Sequence, residues 1–178
     1  MRRPFPTFPA CPVCGDPTVN SGTLGVRWEW DGEHHRVEGS FVAGACHMGY
    51  EGRLHGGLLS ALVDEGMAWA CAVERHSYCV TGDLAVRFRV IAPLGVPLAV
   101  LAWVAGETWG PYLRAKGAVL APDGREVATA SATFSALPRD ESCRMRQALH
   151  FQPGDLDVLD EGLPDLTSPP LPSPPRTR

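Results

Sequence analysis

The longest apolar stretch of the chain spans residues 53–74, RLHGGLLSALVDEGMAWACAVE. It opens with two glycines, where a chain can turn sharply into a helix, and is then apolar at almost every position. A helix that is apolar all round is a buried helix. The pattern therefore predicts one central helix, ending near residues 74–76, around which the rest of the chain is arranged.

On either side of this helix, apolar and polar positions mostly alternate with a period of two, which is typical of half-buried strands. Two strands precede the helix, joined by the hairpin signal Asp31-Gly32, and about four follow it, with Asp123-Gly124 between the last two. The predicted strands cover residues 24–30, 37–43, 84–90, 96–105, 112–119 and 128–136. This order predicts an antiparallel sheet with its helix on one face, an α+β architecture.

The two ends of the chain differ from this central part. Residues 1–23 read as an irregular segment that carries Cys11-Pro12-Val13-Cys14-Gly15, and residues 24–137 as one domain. From residue 138 the composition shifts: a short helix is expected over residues 139–150, and residues 153–178 hold seven of the 17 prolines. Such a composition predicts a disordered or loosely docked tail.

Composition excludes some classes of function. The chain has 178 residues, 44% of them hydrophobic, which suits a single domain with a real core. A net charge of −4 gives no electrostatic case for binding nucleic acid. No apolar run is long enough to span a membrane, and no signal peptide is evident, so we expect a cytoplasmic protein whose six cysteines are reduced thiols or metal ligands.

Two adjacent carboxylates, Asp64 and Glu65, interrupt the apolar helix. Buried charges are costly unless they are paired, so an acid there suggests either a wet seam or a chemical role. Gly57 precedes Asp64 by roughly two helical turns, about 10.5 Å, so both lie on nearly the same face. Amides at a helix start can polarise a carbonyl and a carboxylate can serve as base, but one reacting carbon cannot reach both within one helix. A site that uses both groups requires two antiparallel copies of the helix, hence a dimer.

The Cys11–Cys14 pair has the spacing of a zinc knuckle, with a glycine that allows the tight turn. One CxxC is half of a tetrahedral site, so further ligands are needed. Cys46 and His47 are the first candidates, ahead of His34, His35, His76 and Cys79. The alternative is a pair of ordinary thiols in a turn.

The order of elements, with HGG opening a buried helix and an acid nine residues after the His, resembles the hotdog fold. More narrowly, LHGGLLSALVDE, VTGDLAVRFRVIAPLG and APDGREVATASATFSAL look like the phenylacetate-type (PaaI-like) acyl-CoA thioesterases, a subset of which carries an N-terminal CxxCG. The resemblance covers roughly residues 20–137. It implies that two subunits join their sheets and face their helices antiparallel, as a homodimer or a homotetramer.

The resemblance also implies residue roles. The Gly57 N–H would polarise the thioester carbonyl, and Asp64 of the other subunit would activate water or attack directly, with Glu65 as the alternative acid. His55 would shape the turn and touch the thioester oxygen, and Thr81 would hold the attacking water. The family often has Asn or Gln just before HGG; here His47 is the candidate for that place.

Cations would be needed for the CoA phosphates, and Arg87, Arg89 and Arg114 are candidates by position. The expected function is hydrolysis of an acyl-CoA or carrier-protein thioester, with no cofactor needed for catalysis and a possible structural zinc. The alternative is a non-catalytic protein that binds acyl-CoA, and a hotdog dehydratase is a weaker third reading.

Overall fold

The computed structural model describes residues 2–106 and 110–160. Two α-helices are present in these ranges, α1 (Gly56–Arg75) and α2 (Arg139–Gln147), and a short 3₁₀ helix spans Ala45–His47. The strands are β1 (Arg2–Pro4), β2 (Arg27–Asp31), β3 (Arg36–Val42), β4 (Met48–Tyr50), β5 (Arg53–Leu54), β6 (Cys79–Phe88), β7 (Pro97–Val104), β8 (Tyr112–Leu120) and β9 (Glu126–Ala136).

Seven of the strands form one antiparallel sheet in the order β1-β2-β3-β7-β8-β9-β6, and β4 pairs with β5 in a separate ribbon. Helix α1 packs on one face of the large sheet and contacts β3, β6, β7, β8 and β9. This confirms the α+β architecture that the alternation of apolar positions predicts.

The core lies between α1 and the sheet. Leu62, Val63 and Met67 of the helix are fully buried, and the strands meet them with side chains that alternate inwards. Among the largest buried strand residues are Trp28, Val37, Val100, Leu113, Val119 and Phe134. An apolar run of this length buries enough surface to hold the helix in place, at roughly 25 cal/mol per Å² of apolar area removed from water.

The ends of the chain are more structured than the sequence predicts. Residues 2–4 form the edge strand β1 on β2, although residues 1–23 read as irregular. The short helix expected after residue 138 is confirmed as α2, and the chain beyond it returns to the body, where Leu156 and Val158 are buried. Residues 161–178, the rest of the Pro-rich tail, lie outside the described residues.

Within the ranges that the structure describes, no helix is both long enough and apolar enough to cross a membrane.

Candidate active site

Asp64 and Thr81 meet at the seam between the helix and the edge strand β6. The Thr81 Oγ1 hydroxyl donates a hydrogen bond of 2.8 Å to Asp64 Oδ1. Thr81 is exposed and Asp64 is half-buried, so the pair is open to solvent on the helix side of the sheet. A carboxylate held by a hydroxyl at an open seam is equipped to accept a proton from water or a substrate.

The helix start carries the second group of candidate residues. His55 is the N-cap of α1, and its Nδ1 accepts a hydrogen bond of 2.9 Å from the Gly57 N–H. Because Nδ1 accepts, the ring hydrogen of a neutral His55 lies on Nε2. Both residues are exposed, so the end of the helix presents either the Gly57 amide, after rotation of His55, or the His55 Nε2–H.

Glu65, the alternative acid, faces a different part of the molecule. Its Oε1 accepts a hydrogen bond of 2.8 Å from Trp28 Nε1, and its Oε2 lies 3.0 Å from Cys11 Sγ. Adjacent helix residues point about 100° apart, which is why the two neighbouring acids have separate surroundings. Asp64 therefore remains the acid next to Thr81, and Glu65 joins the N-terminal segment to the helix.

The groups around Glu65 perturb each other. A hydrogen bond with the Cys14 thiol lowers the pKa of Cys11 to about 5, and the same bond, together with burial, raises the pKa of Cys14. Burial, with the charge on Cys11 as a second cause, raises the pKa of Glu65 to about 8.

His47 does not join this cluster. Its Nδ1 accepts a hydrogen bond of 2.9 Å from the Gly44 N–H, and its Nε2 lies 3.2 Å from the carbonyl oxygens of Gly22 and Thr23. Both ring nitrogens are thus occupied by the backbone of neighbouring loops. The expectation that His47 stands beside Cys11 and Cys14 is wrong: His47 is buried at the end of a short 3₁₀ turn, Ala45–His47, and Glu65 is the group that joins the two cysteines. Its role in place of an Asn or Gln before HGG stays a prediction.

The three candidate arginines lie away from Asp64. Arg87 and Arg114 stand opposite Thr129 and Thr133 of β9. These positions alternate with buried alanines, so both arginines project from the sheet face remote from α1. Arg89 follows β6 and lies 4.0 Å from Glu126. Within one chain these arginines do not converge on the Asp64–Thr81 pair, and their contact with CoA phosphates stays a prediction.

No protein-family model matches this sequence, and neither does any curated protein. Solved structures do match. One thioesterase-superfamily protein superposes with a TM-score of 0.64 at 23% identity over 71% of this chain, which spans only 60% of the length of that protein. The PaaI protein of the Escherichia coli phenylacetic acid degradation operon gives a TM-score of 0.54 at 17% identity, over 58% of this chain and 74% of its own. A Streptococcus mutans protein bound to acetyl CoA gives 0.54 at 18% identity, over 58% and 82%.

This chain has the hotdog fold. At these identities the likeness concerns the fold alone. It confirms the expected wrapping of an antiparallel sheet around one long helix.

The hotdog sheet ends at β6, a strand of ten residues whose outer edge pairs with no other strand among the described residues. Leu84 and Phe88 stand opposite the buried Ala132 and Ala128 of β9, so their side chains lie on the helix side of the sheet. They are nevertheless 36% and 54% exposed. A long edge with exposed apolar side chains is prone to pair with another chain.

A cavity of about 190 Å³ lies on another side of the hotdog helix. Its lining is mostly apolar and comes from the N-terminal segment, α1, the start of β6 and α2: Phe8, Cys11, Cys14, Glu65, Ala68, Trp69, Ala72, Tyr78, Cys79, Met145 and Leu149. The cavity and the Trp28–Glu65 bond were both missed from the sequence, because they join segments far apart in the chain. The only local sequence feature that pointed to this side of the helix was the pair of adjacent acids, Asp64 and Glu65.

Proposed function

We propose that this protein hydrolyses acyl-CoA or acyl-carrier thioesters, with Asp64 as the base or nucleophile at a site shared by two subunits. The observation that carries the proposal is the hydrogen bond of 2.8 Å from Thr81 to Asp64 at an open seam of a hotdog fold. It is supported by the names of the structural neighbours, which include thioesterases, and by the acetyl CoA bound in one of them. A cytoplasmic location and the PaaI-like branch stay predictions.

In the proposed reaction, Asp64 takes a proton from a water molecule whose oxygen attacks the thioester carbonyl carbon. The carbonyl oxygen gains negative charge in the tetrahedral intermediate, and the C–S bond then breaks. The carboxylic acid leaves from one side, and the thiolate takes up the proton that Asp64 had accepted. Thr81 holds the carboxylate, and through it the water, in position.

The negative carbonyl oxygen needs a donor, and the start of α1 offers two. One is the Gly57 N–H, which becomes available when the exposed His55 ring turns away. The other is the His55 Nε2–H, which the present ring orientation leaves free to point outwards. Either donor lies at the positive end of the helix dipole, which favours developing negative charge.

Two observations support the proposed dimer: the distance between Gly57 and Asp64, and the exposed edge of β6. Gly57 and Asp64 of one helix are about 10.5 Å apart, too far for a single thioester. Pairing of two β6 edges would cover Leu84 and Phe88 and bring the helices of two subunits side by side. In that arrangement Gly57 of one subunit serves Asp64 of the other.

The first test is thiol release from a panel of short, medium, long and aryl acyl-CoAs with the wild type and Asp64→Asn. Asn keeps an oxygen for Thr81 but cannot take a proton, so turnover should fall at least about a hundredfold. Asp83→Asn is the matched control, because Asp83 lies on β6, the strand of Thr81, but stands opposite Thr133 on the outer face of the sheet. Full activity in Asp64→Asn would refute the proposal. Tight binding of a CoA ester by a wild type without turnover would replace it with a binding function.

The shared site is tested by mixing subunits. Gly57→Pro removes the amide hydrogen at a first-turn position, where proline is tolerated, and Gly57→Ala keeps that hydrogen as its control. Each added Cβ meets the exposed His55 ring at 2.9 Å, so both variants share that disturbance. If the Gly57 N–H is the donor, Asp64→Asn and Gly57→Pro are each inactive alone, and their co-assembly should restore about a quarter of wild-type activity, because half of the dimers then hold one intact site. An active Gly57→Pro would instead assign the donor role to the His55 Nε2–H. No restoration in verified mixed dimers would contradict a shared site.

A further inference from the structure

The N-terminal knuckle, defined as residues 11–15, is a tight turn that holds two thiols together. The Gly15 N–H donates to the Cys11 carbonyl at 3.1 Å, and the Val13 N–H donates to Cys11 Sγ at 3.3 Å. A Cβ on Gly15 would stand 2.2 Å from the Cys11 carbonyl oxygen, so the turn requires glycine there. Backbone amides directed at a cysteine sulfur stabilise it as a thiolate, the form that binds metal.

A third donor comes from the central helix. The sulfur atoms of Cys11 and Cys14 and a carboxylate oxygen of Glu65 all lie within 4.8 Å of one another. The Trp28 Nε1–H, bonded to Glu65 Oε1 at 2.8 Å, directs the other oxygen towards the thiols. Such outer hydrogen bonds orient ligands in metal sites. Cys14 is buried and the other two donors are partly exposed, so the cluster is sheltered but reachable.

We propose that Cys11, Cys14 and Glu65 form a zinc site whose fourth ligand, a water molecule, enters from the adjoining cavity. Two thiolates with one carboxylate suit zinc, because sulfur excludes magnesium and calcium and zinc accepts tetrahedral sulfur and oxygen ligands. Sulfurs on one tetrahedral zinc are about 3.8 Å apart, given Zn–S bonds of about 2.3 Å. Small side-chain adjustments therefore bring the three donors to bonding distance.

A disulfide between Cys11 and Cys14 is the competing use of this spacing, and Glu65 argues against it. The Glu65 Oε2 atom lies 3.0 Å from Cys11 Sγ, and disulfide formation would leave there a sulfur that donates no hydrogen and accepts one only weakly. One oxygen of a sheltered carboxylate would then lose its partner, which is unfavourable. A metal ion instead engages all three groups at once.

The zinc site would fasten the N-terminal segment to the body of the molecule. Both thiols precede β2 in the chain, whereas Glu65 lies in the middle of α1 and Trp28 in β2. An ion held by these groups stabilises the folded chain by mass action, because the unfolded chain does not assemble the site. The site is distinct from the Asp64–Thr81 pair, so it stands or falls independently of the proposed hydrolysis.

The experiment measures metal in the full chain, purified under reducing conditions without added metal. Elemental analysis should find one zinc per chain, and chelation followed by cobalt should give thiolate-to-cobalt charge-transfer absorption. Glu65→Gln should weaken zinc binding by more than about a hundredfold, the upper end of what losing an outer-shell partner costs. Cys11→Ser should abolish the charge-transfer band of the two-sulfur site or at least halve it.

Cys46→Ser and Cys143→Ser are matched controls, because both cysteines are exposed and lie outside the cluster. Both variants should keep one zinc per chain. Circular dichroism on every variant separates loss of metal from loss of fold. The proposal is overturned if the reduced, folded wild type fails to bind added zinc. Cobalt spectra without a thiolate band, or equal zinc affinity in Glu65→Gln, would overturn it as well.

Discussion

At the scale of single residues, the Thr81–Asp64 hydrogen bond offers a direct test of positioning. Thr81→Val keeps the size of the side chain but removes the donor of the 2.8 Å bond. A hydrogen bond to a charged group contributes about 1.5–3 kcal/mol, so we expect kcat to fall roughly tenfold to a hundredfold with little change in KM. Stability should hardly change, because the side chain is exposed.

Thr81→Ser is the control that separates positioning from packing, since it restores the hydroxyl without the methyl group. Steady-state kinetics on one acyl-CoA substrate should show near wild-type kcat for Thr81→Ser. Equal losses in the Ser and Val variants would show that the methyl group matters rather than the hydrogen bond. Unchanged kcat in Thr81→Val would remove Thr81 from the site.

The pairing of Asp64 with Thr81 was accessible from the sequence only in part. Helical spacing places Asp64 on the face of Gly57, and the resemblance to thioesterases points to Thr81. The partners of Glu65 were not accessible in this way. Cys11 precedes it by 54 residues, and the contact depends on how an irregular segment folds over α1. The same holds for His47, because its hydrogen-bond partners are backbone atoms, which no sequence motif predicts.

At the scale of elements, the turn between β2 and β3 links a buried carboxylate to pH-dependent stability. Asp31 Oδ2 lies 2.7 Å from His34 Nδ1, and Oδ1 accepts from the Glu33 N–H at 3.0 Å. The bond from His34, followed by the backbone bonds, lowers the pKa of Asp31 to about 2. Its ordinary value is about 3.9, so this carboxylate contributes stability above pH 4 that is lost as the pH falls towards 2.

Asp31→Asn keeps an oxygen for the Glu33 amide but removes the charge. We expect the variant to be less stable than the wild type at neutral pH and to lose less stability between about pH 4 and pH 2. Urea unfolding across that range measures both quantities. His34→Ala, which removes the main cause of the lowered pKa, should reproduce much of the effect. Parallel pH profiles for Asp31→Asn and the wild type would contradict this account.

Alternation of apolar residues predicted β2, β3, β8 and β9 to within a few residues, because each has one side in the core. The nearly continuous apolar run of residues 96–105 predicted β7. Alternation failed to predict strands whose two faces do not differ in this way. Residues 2–4 form β1 with a proline at its end and no alternation, since an edge strand has only one neighbour to satisfy. The first half of β6 was missed because Val80, Thr81 and Asp83 are exposed.

At the scale of the whole molecule, the Trp28 ring joins the sheet to the helix. Trp28 pairs with Gly39 across β2 and β3, and a Cβ on Gly39 would lie 2.6 Å from its ring. On the other side, a Cβ on Gly66 of α1 would lie 3.2 Å from the same ring and 3.3 Å from Ala102. The ring is 2% exposed and its Nε1 is held by Glu65, so it has little room to move.

Both glycines therefore make room for one indole, and each substitution by alanine should overpack the layer between sheet and helix. Gly39→Ala should lower the free energy of unfolding by about 1–3 kcal/mol. Gly66→Ala should cost less, because alanine gains up to about 1 kcal/mol over glycine inside a helix. The effects of the two substitutions should be non-additive in the double variant, since both methyl groups displace the same ring. Chemical denaturation of the four proteins measures the coupling.

Gly44→Ala is the control: its φ of −99° suits any residue, and a Cβ there would meet nothing within 4 Å. Additive effects of Gly39→Ala and Gly66→Ala, or a Gly39→Ala variant as stable as the wild type, would contradict this account. Either result would show that the Trp28 ring can move and does not set the distance between helix and sheet.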